Sequence, residues 1–124
     1  MDLRLKRAYE PPADDDGARI LVDRVWPRGV ARQALALDLW LKEIAPSPAL
    51  RKWFDHRAGR YAEFARRYRE ELEANPDAVA QLQPWLRRRR VTLVYGARDT
   101  GHNQAVALRD WMLERQRRPP RAPG

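Results

Sequence analysis

Residues 91–95 read Val-Thr-Leu-Val-Tyr and are followed at 96–103 by Gly-Ala-Arg-Asp-Thr-Gly-His-Asn. An uncharged run of β-branched, apolar and aromatic side chains bounded by glycine predicts a strand, the clearest in the chain. Beyond the loop, Ala105, Leu108 and Met112 recur at helical spacing, with Trp111 and Leu113 widening the stripe, so the strand leads through a loop into a helix. Upstream, residues 19–25 read Arg-Ile-Leu-Val-Asp-Arg-Val, apolar through Ile20, Leu21 and Val22, which fits a strand buried on both faces. Trp26-Pro27-Arg28-Gly29 ends it in a turn. Residues 3–9 set Leu3 and Leu5 against Arg4 and Lys6, the period-two pattern of a strand with one buried face. Pro11-Pro12 and an acidic stretch ending at Gly17 stop it.

Between the second and last strands the period changes to 3.6. Leu37, Trp40, Leu41 and Ile44 fall at i, i+3, i+4 and i+7 and predict an amphipathic helix starting near Leu35. Pro46-Ser47-Pro48 breaks it, with Ser47 placed to cap a short helix carrying Leu50, Trp53 and Phe54. Tyr61, Phe64, Ala65, Tyr68 and Leu72 predict a third helix. Asn75-Pro76 opens a fourth, which Pro84 is expected to kink or restart. The order β, β, four helices, β, α predicts an α/β domain over residues 1–114: a short, mainly parallel three-stranded sheet flanked by about five helices. Residues 115–124, rich in Arg and Pro, are expected to be a disordered tail.

The 124 residues are 44% hydrophobic and 34% charged, enough for one core without a staple. With no cysteine, disulfides, thiolate zinc sites, iron–sulfur clusters and a cysteine nucleophile are excluded. The single serine, Ser47, is taken by the cap, which removes serine hydrolysis. The charged start and the lack of any apolar run of about 18 residues predict a soluble, cytoplasmic protein without a membrane partner.

The net charge of +8 concentrates in Arg87, Arg88, Arg89 and Arg90 and in Arg115, Arg117, Arg118 and Arg121. Such a block could grip phosphates, which makes nucleic acid a possible partner; a solvated helix end serves equally well. Only Trp85 borders the block, whereas base-stacking surfaces interleave aromatics with their cations.

If the second and third strands run parallel, their carboxyl ends lie on the edge where open α/β sheets bind ligands, and the two polar loops converge there. The first loop offers Asp23, Arg24, Trp26, Arg28 and Gly29 within seven residues. Arg24 and Arg28 can fork onto a phosphate or carboxylate, and Trp26 can offer a ring face. The second offers Asp99, His102 and Asn103, with Thr100 or Asp99 placed to cap the helix. It is not a Walker loop, since His102-Asn103 follows Gly101 where Lys-Ser or Lys-Thr would be required. His102 could act as general acid or base, with Asp99 or Asp23 orienting it. No spacing marks a metal site, and His56, in Asp55-His56-Arg57, is read as solvated.

The strings Arg-Ile-Leu-Val-Asp-Arg-Val-Trp-Pro-Arg-Gly at 19–29 and Leu-Asp-Leu-Trp-Leu-Lys-Glu-Ile-Ala-Pro-Ser at 37–47, with residues 91–108, resemble the YeaO-like branch of the bacterial domain of unknown function 488 family. The resemblance runs over about residues 3–114 and implies a small cytoplasmic α/β protein. Its motif positions here include Asp23, Arg24, Trp26, Arg28, Gly29, Lys42, His102 and Asn103. Other branches resemble a Cys-His pair after the last strand; this chain has Asp99 and His102 there and no thiol. The expectation is a small anionic or nucleotide-like ligand bound by Arg24, Trp26, Arg28, Gly29, Lys42, Asp99 and Asn103. Asp23 and His102 are the acid/base pair if there is chemistry. Cofactor and oligomeric state are left open, and the alternative is nucleic-acid binding through Arg87 to Arg90.

Overall fold

The computed structural model describes residues 1–88 and 90–117. Strands β1 (Leu3–Arg7), β2 (Ala18–Leu21), β3 (Leu39–Trp40) and β4 (Val91–Tyr95) form one sheet in the order β1-β4-β2-β3, every pair parallel. Helices α1 (Arg32–Leu35), α2 (Pro48–Phe54), α3 (Tyr61–Glu73), α4 (Pro76–Leu86) and α5 (Gln104–Arg117) complete the domain, with short 3₁₀ turns between them. The sheet therefore has four strands, one more than the three predicted.

β4 is central because each of its five residues can be buried. Val91, Leu93 and Tyr95 join Leu3, Ile20 and apolar residues of α2 to α5 in the main core. Val94 instead joins Ala8, Leu21 and Leu35 in a second cluster, against which Trp26, Val30, Leu37 and Trp40 pack. Alternation along a strand sends neighbours to opposite faces, so four helices cover one face and the segment between β2 and β3 covers the other.

That two-faced cover explains the largest correction. The amphipathic helix expected from Leu35 is absent: Ala36 takes a left-handed conformation (φ 47°) that ends α1, and Leu39–Trp40 pair with Ile20–Leu21 as β3. The apparent helical stripe belongs to both clusters, Leu37 and Trp40 to the second, Leu41 and Ile44 to the first. Parallel pairing with the buried β2 decides the outcome over local periodicity. β2 itself ends at Leu21, although Val22 still donates to the Val94 carbonyl (3.0 Å). α4 runs on through Pro84 to Leu86, and α5 continues to Arg117, three residues into the expected tail. Arg118, Arg121 and the other tail residues beyond 117 lie outside the described residues, as does Arg89. Among the described residues, no helix is long and apolar enough to cross a membrane.

Two local features fix the loops. At Gly17 (φ 69°) a Cβ would sit 2.3 Å from the Arg90 carbonyl oxygen, so only glycine lets β2 start beside β4. Ser47 caps α2, its Oγ accepting from the Leu50 N–H (3.2 Å) and donating to Glu71 (2.6 Å), while Glu71 also accepts from the Ser47 N–H (2.8 Å). Ser47→Ala is expected to cost about 1–2 kcal/mol in urea unfolding, the range of a lost N-cap. A loss indistinguishable from zero would mean that Pro48 alone starts the helix.

Candidate functional site

Parallel strands bring the ends of β2 and β4 to one edge, where Asp23 ties the two following loops together. One of its oxygens accepts the Gly96 N–H (2.8 Å) and the other accepts the side-chain amide of Gln104, from the first turn of α5. Trp40 donates its indole N–H to the Asp23 carbonyl (2.7 Å), which adds β3 to the junction. Burial pushes the Asp23 carboxyl up to about 6, although the Gly96 and Gln104 hydrogen bonds and the charges of Arg51 and His56 pull it down.

Above this junction lies a cavity of about 700 Å³, within the size range of small-molecule sites. Asp23, Arg24, Trp26 and Arg28 line it from the first loop, and Gly96, Ala97, Arg98 and Asp99 from the second. Arg51 and His56 close it from the α2 side. The Arg24 guanidinium is steadied by the Ala45 (3.2 Å) and Pro46 (3.4 Å) carbonyls. Among the described residues, the side chains of Arg28, Arg51 and Arg98 form neither ion pair nor hydrogen bond. Elsewhere many arginines are bound internally, as Arg66 is to Glu63 and Glu70 and Arg69 is to Glu114. Trp26 lines the cavity, but its indole N–H is given to Val30 (2.7 Å) and its ring meets Trp40 edge-on at 5.4 Å. It is a wall more than a free stacking face.

The remaining expected residues lie elsewhere. His102 is not among the cavity-lining residues. Its Nδ1 faces the Asp99 carboxylate at 2.9 Å and its ring packs edge-on against Tyr61 at 5.2 Å. Asp99 also accepts the Gly101 (2.9 Å) and His102 (3.1 Å) N–H groups, which together with the histidine hold its carboxyl below the usual range. Asn103, not Thr100 or Asp99, caps α5: its side-chain oxygen accepts from Val106 (3.1 Å) and its amide donates to the Asp99 carbonyl (2.8 Å). Lys42 lies over the Trp40 ring at 5.1 Å, outside the cavity, and Gly29 is an exposed turn residue at φ 77°. Among the described residues no group of three or more His, Asp or Glu is placed to hold a metal ion.

The structure adds Arg51, His56, Arg98 and Gln104. Asp55 (φ 51°) and His56 (φ 54°) are consecutive left-handed residues. That sparsely populated conformation turns the chain sharply after α2 and sets His56 over the cavity. An aspartate directly after the last apolar residue of a helix was the available sign of such a turn. Which loop it would face depends on packing far from it in sequence.

The Arg87 to Arg90 block is partly consumed by the fold. Arg90 pairs with Asp2 (2.7 Å) and donates to the Asp15 carbonyl (2.6 Å), and Arg88 lies over the Trp85 ring at 4.4 Å. Aspartates at 2, 14 and 15 share this end of the molecule.

A protein family described as the inactive DUF488-N3 subclade matches residues 2–122. The chain is 43% identical to the uncharacterized protein YeaO of Escherichia coli K12, over 90% of this chain and 97% of that one. It is also 41% identical to the uncharacterized protein Rv3073c of Mycobacterium tuberculosis H37Rv, over 86% and 89% respectively. No solved structure matches it.

Proposed function

We propose, from the premise that this chain belongs to the inactive DUF488-N3 subclade, that it is a non-catalytic binding protein for a small anionic ligand held at the carboxyl end of its sheet. The observation that carries this reading is the set of arginines around one cavity, three of which make no ion pair or side-chain hydrogen bond among the described residues. Guanidinium groups that the fold leaves unpaired, in a concave site, are suited to forked hydrogen bonds with a phosphate or carboxylate. The chemistry of the lining argues for binding without turnover. Asp23 is committed to Gly96 and Gln104, so of the two expected orienting carboxylates it is Asp99 that holds His102, and the histidine of that pair lies outside the cavity lining. Nucleotide stacking on Trp26 has little support, because that ring is packed against Trp40.

Thermal unfolding with increasing orthophosphate tests the reading. Wild-type protein is expected to gain stability as RT ln(1 + [L]/Kd). Arg28→Ala should weaken apparent affinity about tenfold or more while its unliganded Tm stays within about 2 °C of wild type, since among the described residues the exposed Arg28 side chain makes no ion pair or hydrogen bond. An unliganded Tm that falls as far as the liganded one would make Arg28 structural and remove the proposal. The nucleic-acid alternative predicts something else: steeply salt-dependent binding of DNA or RNA that weakens when residues 115–124 are removed.

A further inference from the structure

The cavity has a second lobe. A hollow of about 290 Å³ lies on the far side of Arg51, His56, Ala97 and Gln104, and those four residues line both spaces. The two hollows adjoin along these four residues, and we treat them as two lobes of one cleft. Their linings differ. Arg24, Arg28 and Arg98 belong to the large lobe alone, with the Asp23 and Asp99 carboxylates already committed to internal hydrogen bonds. The small lobe is lined by Phe54 and Phe64, stacked at 4.2 Å with 17° between their planes, and carries Lys52 at its rim. Among the described residues the Lys52 amine forms no ion pair, and the one acid in this lobe, Asp55, is paired with Arg57 (3.5 Å).

We infer that the ligand is elongated and carries two anionic groups, one among the arginines of the large lobe and the other at Lys52, joined by a linker that passes Arg51 and His56 and lies beside Phe54 and Phe64. The inference rests on the anion-binding reading above and goes beyond it by fixing the ligand's two-ended chemistry. Three features support it. Among the described residues, unpaired cations fall in both lobes, Arg28 and Arg98 in the large one and Lys52 in the small one, with Arg51 between them. Phe54 and Phe64, with Pro48 and Ala97, give the small lobe an apolar wall among its polar residues, suited to the linker between two charged groups. The combined space is that of a metabolite and not of a single oxyanion. A nucleic-acid strand fits less well, because its phosphates would want cations in series and free aromatic faces between them. Here Phe54 and Phe64 stack on each other and Trp26 packs on Trp40.

Calorimetric titration of the full chain with three probes tests it: orthophosphate, pentyl phosphate and pentane-1,5-diyl bisphosphate. The bisphosphate is expected to bind at least about tenfold more tightly than pentyl phosphate, roughly the gain from one further charge-assisted contact. Lys52→Ala should bring the bisphosphate down to the pentyl phosphate value and leave both single-anion probes unchanged. Arg28→Ala should weaken all three. Equal affinity for pentyl phosphate and the bisphosphate, with orthophosphate still bound, would overturn the two-ended ligand while sparing the anion site. No binding of any probe would overturn both. Displacement of the bisphosphate by a short single-stranded oligonucleotide at lower concentration would assign the cleft to nucleic acid instead.

Discussion

Asp16→Ala is expected to destabilise the protein by about 3–5 kcal/mol, the largest loss anticipated for a single polar side chain here. Asp16 lies under the start of β2, its carboxylate accepting from Arg19 (2.6 Å), Lys6 (3.1 Å) and the Ala13 N–H (3.0 Å), while its carbonyl accepts from Thr92 of β4 (2.6 Å). Arg19 is only 4% exposed, and its Nη2 has no partner among the described residues. Removing the carboxylate therefore strands a guanidinium inside the protein, which costs far more than the pair itself contributes. The combined change Asp16→Leu with Arg19→Met should recover most of the loss, because a buried pair replaced by apolar groups of similar volume is close to neutral. Burial works against the Asp16 carboxylate, yet the Ala13, Lys6 and Arg19 hydrogen bonds outweigh it and hold its pKa below the ordinary value. The stability it contributes is present above about pH 4 and is lost as the pH falls through the lowered folded-state value. Urea unfolding at pH 7 decides the matter: a loss below about 1 kcal/mol for Asp16→Ala would mean that solvent reaches the pair.

The second large effect has the opposite sign. Asp23→Asn is expected to stabilise the protein at pH 8 by about 3 kcal/mol, the differential that corresponds to a carboxyl raised from its ordinary value to about 6. Because the folded state holds the proton more tightly than the unfolded chain, wild-type stability from this group falls as pH rises from about 4 to about 6, then levels off. Asparagine can still accept the Gly96 N–H through its carbonyl. A turn of the Gln104 amide then places its oxygen toward the new NH₂. The gap between the two proteins should close near pH 4. Parallel stability profiles across that range would show that Asp23 is solvated, and with it the floor of the cavity. The same substitution removes a negative charge from beneath the arginines, so phosphate should bind no more weakly to it at pH 8 than to wild type.

How much could be read in advance follows from where each signal was stored. The strand at 91–95 and the helix beginning at Tyr61 carry clean apolar patterns, the helices beginning at Pro48 and Pro76 add a proline in the first turn, and all four form where expected. The convergence of the two loops was legible because parallel strands place their carboxyl ends together, and β2 and β4 are parallel. β3 was not legible, since two residues pairing with a buried strand leave no periodicity of their own, and side chains sent to both faces imitated one helical stripe. Within the site, Asp23, Arg24, Arg28 and Asp99 follow their strands to the cavity. Lys42 does not, because the helix expected to carry it is a strand and a 3₁₀ turn. His102 and Asn103 are drawn into the Asp99 turn and the start of α5 by short-range hydrogen bonds that compete with any ligand. Arg51 and His56 arrive from the end of α2 by tertiary packing, and sequence spacing holds no trace of that.

The most direct measurement is a two-dimensional amide NMR titration of the uniformly labelled protein with orthophosphate. Saturable shifts should concentrate at Arg24, Val25, Gly96, Ala97 and Arg98, with a weaker response at His56 and little change at Arg87 or Arg88. Shifts gathered on the arginine block before β4, or an unperturbed spectrum throughout, would contradict an anion site at the sheet's carboxyl end.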